Sequence, residues 1–216
     1  LDDPVLSDIV FRLPKSDRQI RAARVVLSYR CQHFKQFLES PEVLPSGQEA
    51  GAQGLEVLEV VLADAQYQPF FLFLSYLYTD SIDTTQIRKW KKEAAEKLKE
   101  TGEKKPEGGR LNFRVQLLSD LLILAEKYGV MRLQRLCIKS MEDASTAKSK
   151  KQLTKGEKEN REVKTKKEIK NFMELRSSFA ADMRKAVGSP TFSDVKFVVG
   201  EKKQTICAHK AVLCAR

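Results

Sequence analysis

Ser7-Asp8-Ile9-Val10-Phe11 stands before Ile20-Arg21-Ala22-Ala23-Arg24-Val25-Val26-Leu27-Ser28-Tyr29-Arg30, and the same design returns near the end of the chain. There Ser193-Asp194-Val195-Lys196-Phe197 stands before Ile206-Cys207-Ala208-His209-Lys210-Ala211-Val212-Leu213-Cys214-Ala215-Arg216. Asp8 to Ile20 and Asp194 to Ile206 are both 12 positions, so one offset of 186 relates the two blocks. Solenoid repeats run roughly 20 to 50 residues, so a period this long predicts two domains of one type in series. The second occurrence reaches Arg216 having gone no further than its opening, and the chain starts at Leu1 instead of Met. The expectation is a fragment at both ends, with a second hairpin and helix that lack the helices they would pack on.

Charge is informative through its position. The net charge is +10, yet 84–110 carries nine Lys/Arg against five Glu and 142–170 carries ten against six acidic residues. Eight of the ten excess charges therefore fall in two stretches that read as solvated helix or linker. No aromatic side chain interleaves with the lysines of the second, as a base-stacking platform would need. The longest apolar run, Pro69 to Tyr78, is well short of the roughly 20 residues that cross a bilayer. Four scattered cysteines and only His33 and His209 make no zinc pattern, and the thiols read as reduced, in a cytoplasmic or nuclear protein. No metal or other cofactor is expected.

The periodicities give an α+β order. Val5 to Leu13, the turn Pro14-Lys15-Ser16-Asp17 and a short strand through Ile20 predict a hairpin. Ala22 to Tyr29 reads as a buried helix, and Phe34, Phe37 and Leu38 as the face of a second. After a Pro/Gly loop, Leu55 to Leu62 reads as a strand that passes from a sheet edge into the core. Pro69 opens a helix that is apolar nearly all round. Leu117, Leu118, Leu121, Leu122, Ala125 and Tyr128 line another helix, ended by Gly129, and Met131, Leu133, Leu136, Cys137 and Met141 line a last one. Narrow stripes mark two further helices: Ile87, Trp90, Ala94 and Leu98 in a charged insertion, and Phe172, Leu175, Phe179, Met183 and Val187 in the linker. Each reads as folding back on its own domain or docking a partner. The predicted divisions are 1–141 with an insertion at 84–113, a basic flexible linker at 142–191 holding an amphipathic helix over 171–187, and 192–216 as the start of a second copy.

These residues, with Phe70-Phe71-Leu72-Phe73-Leu74-Ser75-Tyr76-Leu77-Tyr78-Thr79-Asp80 and Leu121 to Cys137, resemble the BTB/POZ domain. The likeness covers Leu6 to Met141 and Phe192 to Arg216, four motifs in order, the second copy keeping the Ala208-His209-Lys210 of the family helix where the first has Ala23. It implies a small β-sheet with a cluster of short helices, the second copy truncated. A tandem pair with an enlarged first copy is similar in arrangement to Rho-related BTB proteins and leucine-zipper-like regulators, among others.

No catalytic constellation is present. Neither histidine sits in a metal-binding or general-base setting, and Gly108-Gly109 lacks the strand and the Lys-Ser/Thr of a phosphate loop. Asp8 and Arg24 lie beside apolar runs, where a charge persists only if paired. They read as a structural ion pair, or, as the resemblance implies, as residues of a dimer groove that receives partner peptides. Asp194 and Lys210 take those places in the second copy, and His209 beside them reads as a hydrogen-bonded core histidine. The resemblance puts the cullin-3 surface at Phe34, Phe37, Leu38, Val43 and Leu44, and packing of the first three into the core is the alternative. It further implies a homodimer or hetero-oligomer that recruits protein partners as a cullin-3 ubiquitin ligase adaptor. A scaffold in transcription or signalling, and nucleic-acid binding through the basic linker, are the other readings.

Overall fold

The computed structural model describes residues 1–40, 57–100, 113–149 and 177–214, with side chains at 97–100 and 144–149 excepted. They group into two compact units: Leu1–Ser81 with Lys127–Gly129 and Ser178–Arg216, and Ile82–Glu126 with Val130–Ser177.

The first unit is built on β1 (Ile9–Leu13), β2 (Arg18–Ala22) and β3 (Leu58–Val61), in the spatial order β2-β1-β3. β1 and β2 form the predicted antiparallel hairpin, with Ile9 opposite Ala22 and Leu13 opposite Arg18. Its turn is a 3-10 helix over Pro14–Ser16, where proline's fixed φ suits the first position, and Asp17 closes it in the left-handed region at φ 49°. β3 pairs parallel to β1, Ile9 opposite Leu58 and Arg12 opposite Val61. The Arg12 guanidinium donates to both carboxylate oxygens of Glu59 at 2.8 and 2.7 Å, an exposed pair diagonal to that register. The sequence expectation that this strand runs into the core is corrected: only one face of β3 is covered, and Val61 at its end is 62% exposed.

Helices α1 (Arg24–Arg30), α2 (Gln32–Leu38) and α3 (Tyr67–Thr79) belong to the same unit. Pro69 lies in the first turn of α3, where its missing N–H costs nothing, and Asp80 ends the helix at φ 58° with its N–H on the Tyr76 carbonyl at 2.7 Å. Phe11 packs edge-on against Phe70 at 5.1 Å and tilts against Phe34 at 5.7 Å, and Phe34 stacks on Tyr128 at 5.2 Å. Each ring pair adds about 1 kcal/mol beyond its area.

The second unit holds α4 (Thr84–Glu100), most of α5 (Phe113–Lys127) and α6 (Met131–Ser149). The insertion is helical as its stripe predicts, with Ile87 and Trp90 buried. Gly129, at φ +66°, ends α5 as expected: the Val130 N–H reaches back to the Ala125 carbonyl at 2.8 Å. Leu133 and Cys137 are buried on α6, but Met131, read as part of that face, is the opening residue of the helix and is 63% exposed.

Residues 178–214 return to the first unit as α7 (Phe179–Arg184), β4 (Val195–Val199), β5 (Gln204–Ala208) and α8 (Lys210–Leu213). The linker helix expected over 171–187 is shorter in its described part. After Arg184 the backbone winds into i→i−3 bonds, Ala186 to Met183 and Val187 to Arg184, before Gly188 turns it at φ +75°. Tighter winding moves the stripe by one residue, so Ala186 is buried and Val187 is 75% exposed. Phe172 and Leu175 lie outside the described residues.

β4 and β5 repeat the first hairpin at the offset of 186, Val195 opposite Ala208 as Ile9 is opposite Ala22. Lys203 takes the left-handed place of Asp17, with φ 49° at both. Burial is the difference. Phe11 is fully buried, whereas its counterpart Phe197 is 46% exposed.

Candidate functional site

α1 begins at Arg24 with Ala23 before it, and alanine has no side-chain oxygen to accept the free N–H groups of a first helical turn. Asp8, at the head of β1, supplies the acceptor from across the hairpin: the Arg24 N–H donates to Asp8 Oδ1 at 2.6 Å. Arg24 Nε stands 3.2 Å from Asp8 Oδ2, a charge contact with poor hydrogen-bond alignment. The arrangement recurs at the second hairpin, where the Lys210 N–H donates to Asp194 Oδ1 at 2.8 Å to start α8. Burial pushes the Asp8 carboxyl above its ordinary 3.8, against the opposing pull of the Arg24 amide and charge.

The outer face of α1 carries Val25, Val26 and Tyr29. With Ala23 and Tyr78 they share one apolar cluster with Met183, Ala186, Ala211 and Val212. Polar contacts ring that cluster. The Tyr29 hydroxyl donates to Ser189 Oγ at 2.7 Å, and the Ala23 N–H donates to the Tyr78 hydroxyl at 2.7 Å. Burial drives the Tyr78 phenol up to about 12.

Arg30, its side chain 3% exposed, ties three elements together. Its Nε donates to the Leu77 carbonyl at 3.1 Å, Nη2 to Asp80 Oδ1, and Nη1 to Ser178 Oγ at 2.9 Å and Asp182 Oδ2 at 2.7 Å. The guanidinium also lies 5.2 Å over the Phe179 ring. Burial raises the Asp182 carboxyl, but hydrogen bonds from Ser178, Lys185 and Arg30 outweigh that and hold it below its ordinary 3.8. Sequence reading did not select Arg30, Asp80 or Asp182. The first two sat inside motifs recognised for other reasons, and the third lay in a stretch read as linker.

Several expected contact residues are placed otherwise. Asp8 and Arg24 do meet, but Arg24 is 4% exposed and its guanidinium lies 5.5 Å from the Phe192 ring centre, so the chain's own segment covers the pair. An incoming peptide would have to displace it. Phe34 and Leu38 are core residues, not an exposed anchor: Phe34 is wedged among Phe11, Phe73 and Tyr128, and Leu38 is fully buried. Phe37, at the flank of the same helix face, is 40% exposed. Val43 and Leu44 lie outside the described residues. His209 takes the core place read for it from the sequence: it is buried, with Nδ1 at 3.0 Å from the Phe192 carbonyl and Nε2 at 3.2 Å from the Ala186 carbonyl.

Among the described residues no cluster of three or more His, Cys, Asp or Glu side chains could hold a metal, and no helix is long and apolar enough to cross a membrane. Residues 1–103 match the BTB/POZ domain family, which spans β1 to β3, α1 to α3 and all of α4. BTB/POZ domains are protein-protein interaction modules that mediate dimerisation and partner binding. No curated protein matches the chain.

Proposed function

We propose that the chain is a non-catalytic module that recruits other proteins, built from two BTB-like units in tandem, and that it serves as a substrate adaptor of a cullin-3 ubiquitin ligase. The family match over 1–103 supports the interaction role. The adaptor role rests on Phe37, an exposed aromatic side chain held on a helix whose Phe34 and Leu38 are locked in the core. A rigid, exposed aromatic anchor is what the centre of a protein interface uses. Four free thiols, two of them buried, fit a reducing compartment, cytoplasm or nucleus.

Titration calorimetry of this chain against the N-terminal half of cullin-3 tests the adaptor role. A saturable complex that Phe37→Ala weakens by ten-fold or more, about 1.4 kcal/mol, is the expected result. No heat at high micromolar concentration removes the adaptor role and leaves a scaffold that recruits other partners.

A further inference from the structure

The apolar cluster on α1 contains two pairs of positions that are equivalent under the repeat. Adding the offset of 186 to Val25 and Val26 gives Ala211 and Val212, and all four lie in the same cluster. The equivalence holds in the backbone that presents them. Asp8 N–H to the Ala22 carbonyl is matched by Asp194 to Ala208, at 3.1 and 3.2 Å, and Leu27 N–H to Ala23 by Leu213 to His209, at 3.2 and 3.0 Å. An interface in which a patch meets its own equivalent is the signature of two-fold, isologous association, ordinarily made by two copies of a chain. Here both halves belong to one chain.

We infer that α1 and residues 178–214 form a self-complementary, dimer-type interface closed within a single chain, so that this face takes no second copy. The inference rests on the tandem reading given above. It replaces the expected homodimer contact with an internal one. Three further contacts hold the closure: Arg30 to Asp182, the Tyr29 hydroxyl to Ser189, and Arg24 over Phe192. The first joins a side chain 3% exposed to one 18% exposed, so the contact is largely shielded from solvent.

The test uses the full chain and two independent variants. Ala186→Glu drives a charge into a site that is 1% exposed, and Asp182→Lys sets a like charge against Arg30 without touching the apolar cluster. The unmodified chain should sediment as a monomer at tens of micromolar. In hydrogen exchange, both variants should speed the amides of 24–30 together with those of 179–186 and 210–213 by about ten-fold or more, while β1 and α3 stay protected. Faster exchange confined to 178–214, with α1 unchanged, would overturn the inference. So would an unmodified chain that is a dimer and that either variant dissociates, since the contact would then lie between chains. Cullin-3 titration reads Phe37 and should not respond to either variant, so failure of one proposal is told apart from failure of the other.

Discussion

Asp8 starts a helix it does not belong to: its Oδ1 accepts the Arg24 N–H at 2.6 Å across the hairpin, 16 positions on. Asp194 does the same for Lys210, also 16 positions on, at 2.8 Å. The aspartate just before each hairpin thus supplies the acceptor at the start of the helix that follows it.

Asp8→Ala should cost about 1–2 kcal/mol in urea unfolding, because it removes the side-chain oxygen that accepts the Arg24 N–H at the start of α1. Asp8→Asn keeps an oxygen for the Arg24 amide and should recover about 1 kcal/mol of that loss.

Arg30→Ala should cost about 3–5 kcal/mol, since it breaks the buried pair with Asp80 and removes one of the two cationic partners of the part-exposed Asp182. Arg30→Lys should rescue it only in part. A single ammonium cannot reach Leu77, Asp80, Ser178 and Asp182 as the planar fork does, and thermal unfolding of the two variants side by side reads the difference.

Acid should loosen the closure. The Asp182 carboxyl is held below its ordinary 3.8, so the stability it contributes is present above 3.8 and lost as pH falls through its lower, folded value. Asp8 runs the other way: its value is raised, so what it contributes is present below 3.8 and fades as pH rises through the folded value. Hydrogen exchange of 179–186 between pH 5 and pH 2, run on the unmodified chain and on Asp182→Asn, should show an acid-dependent loss of protection in the first that is absent in the second.

Tyrosine ionisation should single out Tyr78. With its phenol at about 12, it should titrate late in the ultraviolet difference spectrum, and Tyr78→Phe should remove that step. Stability tied to it is present below the ordinary value of 10 and lost as pH rises through about 12.

Thiol reagents should sort the cysteines. Cys214 is exposed and should react first, while Cys31 and Cys137 are buried, with burial pushing both thiols up and Cys137 to about 12. Labelling followed by mass spectrometry should find those two modified only under denaturant.

Local signals were legible in the sequence: the hairpin turn at Pro14, the buried helix after Pro69 and the stop at Gly129 each follow from residues a few positions apart. What sequence could not provide was pairing at long range. Nothing in the spacing joins Arg30 to Asp182, 152 positions away, or tells which side of α2 faces the core, so Phe34 and Phe37 looked alike. The two are separated only by what stacks on them, Tyr128 on Phe34 at 5.2 Å. Val187 failed as a stripe residue because the helix tightened before it, a change of winding that a fixed period does not anticipate.

The contact between α1 and residues 178–214 has a consequence for how the molecule responds to dilution. Two separate chains joined by a face of this kind come apart as their concentration falls below the dissociation constant. A pair within one chain meets at an effective concentration set by the chain that joins it, whatever the abundance of the protein. Closure here is therefore fixed by the chain and independent of expression level, and only a competitor, a charge change such as at Asp182, or scission between the two segments can open it.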